Sequence, residues 1–419
     1  MIRSMYTAIS SLSMHQKYLD VVSNNLANAN TTGFKTSRVL FQDQFSQTYN
    51  SGSMPTTTQG GTNPTQIGLG VMMGYISPNF NQGMLQSTGR NMDLSIQGDG
   101  FFIFGKDTDR TYSRAGSLSL DSNGVLVNSV SGLPAQGWSL ATGQTAVDTT
   151  QPIGEIKIDT GRSMAKATEK VVLGGNFNSA NIGTTNKITV SMGVYDKLGA
   201  LRKTSIVFTP PTTAPATPPT QWTWEAFDDN GTSPASVGTG TIDFDTNGQY
   251  SASTPVSPLA LAISGSDGAG SVPIDIDFTK LTMLSSSTTA SSISQNGVAA
   301  GSVTDVYIAP NTGKVSLVFS NGLTSEIGQV AVARFTNPTG LVSTDHTSFL
   351  VGVNSGDPEI GTAGTGGRGN IASGYLESSN VDMAQEFTNM ILAQRGFQAS
   401  TKAITTSDEI LQELVNLKR

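Results

Sequence analysis

Residues 1–30 read MIRSMYTAISSLSMHQKYLDVVSNNLANAN, and residues 383–417 read MAQEFTNMILAQRGFQASTKAITTSDEILQELVNL. In the first stretch Ile2, Met5, Ile9, Leu12, Leu19 and Leu26 fall on alternating steps of three and four, broken only by Gln16 and Ser23. In the second, Met383, Met390, Phe397, Ile404 and Leu411 recur at every seventh residue, and Ala403, Ile410, Leu414 and Leu417 widen the stripe toward the end. A repeat of about 3.5 residues marks a helix whose narrow apolar seam packs on other helices. The N-terminal helix should be a rod of about 40 Å that stops between Asn28 and Gly33, where NANTTG supplies cap and turn residues. Ser378, Ser379 and Asn380 stand where N-caps are needed, with Asp382 and Glu386 placed for the positive end of the helix dipole. Gly396, inside the second helix, costs about 1 kcal/mol against alanine, which a close helix–helix approach would explain.

The bland alternative is that each helix covers the core of its own domain. Two matched seams at opposite ends of the chain argue against it, because neither has an obvious partner in the sequence between them. A lone helix with so narrow a seam is marginal in water, so both helices are expected to fold fully only when copies assemble.

What lies between is different in kind. The chain has 419 residues, enough for two or three domains, with 46 glycines and 13% charged residues. Asn-Gly recurs at 123–124, 230–231, 247–248, 296–297 and 321–322, between alternating runs such as KVSLVF and TWEAF. These are hairpin signals, and the middle of the chain reads as β. Residues 34–74 and 356–374 are polar, too long for ordinary loops and too poor in apolar residues for domains, so they read as paired connectors. PPTTAPATPP at Pro210–Pro219 reads as an exposed loop tip.

The formal charge of −7 leaves no basic face for nucleic acid. The absence of cysteine suits a chain that crosses a membrane unfolded, although chance or general cysteine avoidance is the simpler account. The N-terminus lacks the basic and apolar regions of a Sec signal peptide, and no stretch is apolar enough to insert in a membrane.

Little points to catalysis or to a cofactor. His15 and His346 are the only histidines and there is no cysteine, so neither a zinc cluster nor a triad with a nucleophile elbow can be assembled. Gly364–Gly369 fits GxGxxG but lacks a βαβ setting, and reads as a loop. Asp243, Asp245, Asn247 and Gly248 match half of a calcium loop, but Thr254 stands where the bidentate Glu belongs, so a β-turn is the better reading. Aromatic residues make up 7%, which argues against the stacking platforms of a sugar cleft.

The segment SNNLANANTTGFK, Ser23 to Lys35, resembles the N-terminal signature of bacterial flagellar rod and hook proteins, with Asn24, Asn25, Leu26, Ala27, Asn28, Gly33 and Phe34 as its core. SIQGDGFF (95–102) and YSRAGS (112–117), followed by Asp121 to Val127, are similar to that family's next shared blocks. The C-terminal stretch from Gly374 through Glu377, Asn380-Val381-Asp382, Met390-Ile391 and Gln394-Arg395 to Leu417 is similarly close. Gly396 departs from the polar residue the family commonly places there. Rod-type members lack a large outer domain, whereas the insertion here, starting near Thr150, resembles hook-type members.

The resemblance implies a mixed, multi-domain fold. Terminal α-helices, 1–33 and 375–419, would form a coiled-coil inner domain, with connectors at 34–74 and 356–374. Two mainly-β domains would follow outward, an inner one at 75–148 and 285–355 and an outer one at 149–284. It implies a self-polymerising subunit of a curved hollow tube that transmits torque between rod and filament. Its partners would be copies of itself, the distal rod protein, the hook cap, the hook–filament junction protein and the type III export apparatus, with export needing no cleaved signal. The runner-up is a distal rod subunit of the same family. From a different class, a secreted β-rich carbohydrate-active or adhesive protein stays open.

Overall fold

The computed structural model describes residues 2–106, 109–140, 144, 146–213, 220–228, 235–254 and 273–416, with the side chains of Ile2, Ala235 and Leu414 left aside. It is mostly β with two helices, α1 (Ile2–Ala27) and α2 (Met383–Asn416). Most of the proline-rich stretch, Asn230-Gly231 and Leu417 lie outside the described residues. The chain forms two compact units: Met1–Ile158 with Val306–Ser316 and Glu326–Arg419, and Asp159–Asp305 with Leu317–Ser325.

In the first unit α1 ends at Ala27, where the NANTTG turn begins. The cap of α2 is Asp382, whose Oδ1 accepts from the N–H groups of Ala384 (2.9 Å) and Gln385 (3.2 Å). Asn380, expected among the caps, is engaged elsewhere: it accepts from Thr36 N–H and donates to the carbonyls of Asn79 and Asn81. The two helices run antiparallel, since Ser11 bonds Ser400 while His15 lies against Gly396. Two of the unit's sheets position the site, beside further strand pairs such as Gln136–Ser139 with Gly154–Glu155. One has the order Val342–Ser343, Ser348–Leu350, Asp109–Ser113, Phe101–Lys106, Val332–Arg334, Glu359–Gly361; the other has Leu126–Asn128, Gly116–Leu120, Asp93–Gln97, Asn370–Ser373. FFIFG at 101–105 is buried on both faces and reads as a continuous apolar run.

The two stretches read as connectors carry β structure. Residues 34–74 contain Ser37–Asp43, which pairs with Val71–Pro78, and Ser46–Asn50, which pairs with Thr65–Gly68. Residues 356–374 supply Glu359–Gly361 and Asn370–Ser373 to the two sheets. Their backbone partners are remote in sequence, so composition alone hid the pairing.

The second unit holds an antiparallel meander, Ile188–Tyr195, Leu201–Thr209, Thr220–Asp228, Ala235–Phe244 and Tyr250–Thr254. Lys170–Asn178 pairs parallel with Asp275–Leu284 and antiparallel with Ser291–Gln295. Strict alternation in ITVSMGVY sends Ile188, Val190, Met192 and Val194 inward, onto a core where Phe177 stacks on Trp222 at 4.9 Å. The unit begins at Asp159 and includes residues 285–305, a wider span than the insertion read from sequence. The strand pairing of Ser291–Gln295 with Lys170–Asn178 draws that later segment in.

Asn-Gly marks turns at 123–124, 247–248 and 321–322, where only the glycine has positive φ. The turns at Asp121 and Asp245 share a device with that at Asp196. Each carboxylate accepts from the N–H groups two and four residues on, at 2.7–2.9 Å, and glycine follows at the third position. This occupation of Asp245 by its own turn disposes of the half calcium loop. Gly364–Gly369 is a loop with positive φ at Gly364, Gly366 and Gly367.

Candidate functional site

Two features of the first unit stand out: the faces of its helices, and the point where the two ends of the chain meet.

The α1–α2 contact is built from small and polar side chains. Ala8, Val22, Ala393 and Ser400 are buried, and Ser11 Oγ lies 3.0 Å from Ser400 Oγ. A Cβ at Gly396 would fall inside the His15 imidazole, so the glycine is the notch that admits the histidine. That accounts for a residue whose helix propensity is otherwise a loss. His15 and Tyr18 also meet Phe41, at ring separations of 6.2 and 5.7 Å, and Val71 N–H donates to Ser10 Oγ. The N-terminal helix therefore has partners in its own chain, helix α2 and strands 37–43 and 71–78, which periodicity did not suggest.

The apolar seam of α1 lies to one side of this contact. Ile9 is 45% exposed, and Met5, Leu12, Leu19 and Leu26 are only half-buried. On α2, Met383 is exposed while Met390, Phe397, Ile404 and Leu411 are half-buried along the edge of the contact. A second stripe absent from the sevenfold pattern, Phe387, Ile391 and Leu392, is at least as exposed as any described seam residue. The side chains of Ile2 and Leu414 lie outside the described residues.

The motif residues form an intrachain clasp. Asn25, 1% exposed, donates to Ser37 O at 2.8 Å and accepts from Ser37 N–H at 3.0 Å, copying a strand's hydrogen bonds at the end of a helix. Asn28 ties back to Asn24 O and accepts from the Thr31 hydroxyl. Leu26 is half-buried and Ala27 exposed at the helix end, and Phe34 is half-buried. Gly33 has φ +72° and donates to Glu377 O at 2.8 Å; a Cβ there would strike Ala115 N at 2.7 Å.

Beside it Lys35 Nζ lies 2.6 Å and Arg114 Nη1 3.5 Å from the Glu377 carboxylate, with all three side chains at most 3% exposed. Gly83 N–H donates to the same carboxylate, and Lys35 also donates to Asn81 O. Burial pulls Lys35 and Arg114 below their ordinary values, and the Glu377 charge opposes it in both. Arg114 lies over the Phe101 ring at 5.3 Å. Lys35, Arg114 and Glu377 all fall in segments that carried the family resemblance, yet nothing in their spacing showed that they meet. Their one local signal is charge retained in an otherwise charge-poor chain.

Among the described residues no group of His, Asp and Glu could hold a metal ion, and no helix is long and apolar enough to cross a membrane. Four family descriptions match in chain order. Residues 5–35 match the flagella basal body rod protein and 95–190 the flagellar hook protein FlgE/F/G D1 domain; 157–298 match the flagellar basal body protein FlaE D2 domain and 372–417 the flagellar basal body rod FlgEFG protein C-terminal region. Flagellar hook protein FlgE of Borreliella burgdorferi is 35% identical over all of both chains, and that of Treponema pallidum 33% over all of both. Flagellar basal-body rod protein FlgG of Bacillus subtilis is 31% identical, again over all of both chains. The crystal structure of Helicobacter pylori flagellar hook protein FlgE2 gives a TM-score of 0.47 at 14% identity, covering 70% of this chain and 100% of that one. With full-length identity above that to the rod relative, and with the outer domain matched, the chain belongs to the flagellar hook protein FlgE family, structural components of the bacterial flagellum.

Proposed function

We propose that copies of this chain polymerise through their terminal helices into a curved hollow tube, the torque-transmitting joint between rod and filament. The observation that carries this reading is the mismatch between the two helix faces. The chain buries Ala8, Met14, Val22, Ala393 and Ser400 internally and leaves the other described large apolar side chains of α1 and α2 half-buried or exposed. Fully burying an exposed side chain of this size gains about 1.5–3 kcal/mol and a half-buried one correspondingly less, which favours sister helices as the cover. The paired helices would then act as a coiled coil, residues 1–33 and 375–419 forming the inner tube. The ribbons at 34–74 would bridge inner and outer layers, and the β domains would face outward. Polar outer positions on α2 suit a channel lining for unfolded chains exported by the type III apparatus without a cleaved signal. Distal rod protein, hook cap and junction protein are the neighbours this reading supplies, outside the cell.

Deleting residues 1–30, or replacing Leu12 and Leu19 by Asn, should abolish polymer in a sedimentation assay while the β body keeps its fluorescence transition. Tubes grown by either variant at the wild-type concentration would defeat the proposal. The rod reading is kept alive by the full-length likeness to a FlgG rod protein. Straight rather than curved polymers in electron microscopy would favour it.

A further inference from the structure

Glu386, in the first turn of α2, is 9% exposed, and its Oε2 has no hydrogen-bond partner among the described residues. It lines a cleft of about 560 Å³ with Tyr18, Val22, Arg38, Gln385 and Asn389. Tyr18 shares the cleft wall with Glu386, and its phenol is pushed above its ordinary value by burial first and by the Glu386 charge second. Gln385 donates to Asn389 Oδ1 at 3.1 Å, and the remaining wall is Ser, Thr, Asn and Pro. Arg38 is exposed at this cleft and makes no ion pair with Glu386 among the described residues. A buried carboxylate without a counterion is costly and is retained where something else covers it. One carboxylate beside amide groups, with no other acid at the cleft, suits an organic cation better than a metal ion.

We infer that this cleft receives the Arg395 guanidinium of a second copy of the chain, a contact that rests on the tube-building reading. Arg395 is exposed on α2, and Nη1 donates to Gln398 Oε1 at 3.3 Å. It follows Phe387, Ile391 and Leu392, which are 48%, 58% and 61% exposed and await cover from another copy. Within one chain the pair cannot form: nine residues of helix separate Glu386 and Arg395 by about 13 Å, and the turn angle sets them on opposite sides. A surface that presents Arg395 and a different surface that accepts it make a head-to-tail contact, which repeats without closing on itself. The guanidinium fork matches a carboxylate held beside amides, as an ammonium would not.

The test uses full-length protein and two readouts, the thermal midpoint of the monomer and the lowest concentration that yields sedimentable polymer. Glu386→Gln should raise the monomer midpoint, because an unpaired buried charge is gone, yet raise the polymerisation concentration about tenfold or more. Arg395→Gln should raise that concentration similarly without raising the midpoint. The exchange Glu386→Arg with Arg395→Glu should recover polymer to within a few-fold of wild type. Unimpaired polymerisation of Glu386→Gln, or an exchange that stays inactive, would overturn the inference. So would Arg38→Gln reproducing the defect while Arg395→Gln does not, since the counterion would then be in the same chain. If Leu12 and Leu19 variants lose polymer but the Glu386 variants do not, this contact alone is refuted and the seam reading stands.

Discussion

Replacing Glu377 by Gln is the sharpest probe of how the first unit is held together. The change keeps the side chain's volume and one acceptor for Gly83 N–H, but leaves Lys35 and Arg114 as two buried cations with no anion between them. Removing one partner of a buried ion pair costs about 3–5 kcal/mol, because the other charge stays desolvated. At roughly 2–4 °C per kcal/mol for a unit of this size, the first unit should melt on the order of 10 °C lower. The three tryptophans separate the units: Trp138 belongs to the first, and Trp222 and Trp224 lie in the core of the second. Urea titrations of Trp138-only and Trp222/Trp224-only backgrounds should show the first transition moving and the second unmoved. Adding Lys35→Met should restore part of the loss, since it removes one of the stranded cations. A cost below about 1 kcal/mol, the value of an exposed pair, would refute the reasoning, as would equal shifts in both units.

Gly396→Ala should gain about 1 kcal/mol of helix propensity but lose more to overpacking against His15, up to about 3 kcal/mol. His15→Ala should reverse the sign of that substitution, read from thermal melts by circular dichroism. In the second unit the Thr279 hydroxyl and N–H, then Lys170, hold the Asp277 carboxyl below its ordinary value. Its folded value lies under its unfolded one, so the stability it contributes is present above the ordinary carboxylate range and is lost as pH falls through the folded value. Asp277→Asn should therefore lower the Trp222/Trp224 urea midpoint at pH 7 more than at pH 3; equal losses would contradict that linkage.

The helices were legible because the sevenfold recurrence of Met383, Met390, Phe397, Ile404 and Leu411 is a local property of one segment. Strand character was legible for the same reason, in the alternation of KVSLVF and TWEAF. The clasp was not. Lys35, Arg114 and Glu377 carry no periodic signal, and their meeting depends on Asp93–Gln97 and Leu85–Ser87 pairing with strands near the far end of the chain. The helix contact was misjudged for a related reason. Hydrophobic periodicity finds the greasiest face, whereas the face used within the chain is defined by the smallness of Ala8, Ser11, Ala393, Gly396 and Ser400.

By itself, then, the order of residues determined the helices at both ends, the β character of the middle and the family, all of which are written in short-range pattern. Tertiary structure alone decided which helix face stays inside the chain, which three charges share one buried site, and that Glu386 has no ion-pair partner among the described residues. Those outcomes depend on distances between residues that sequence separation does not constrain.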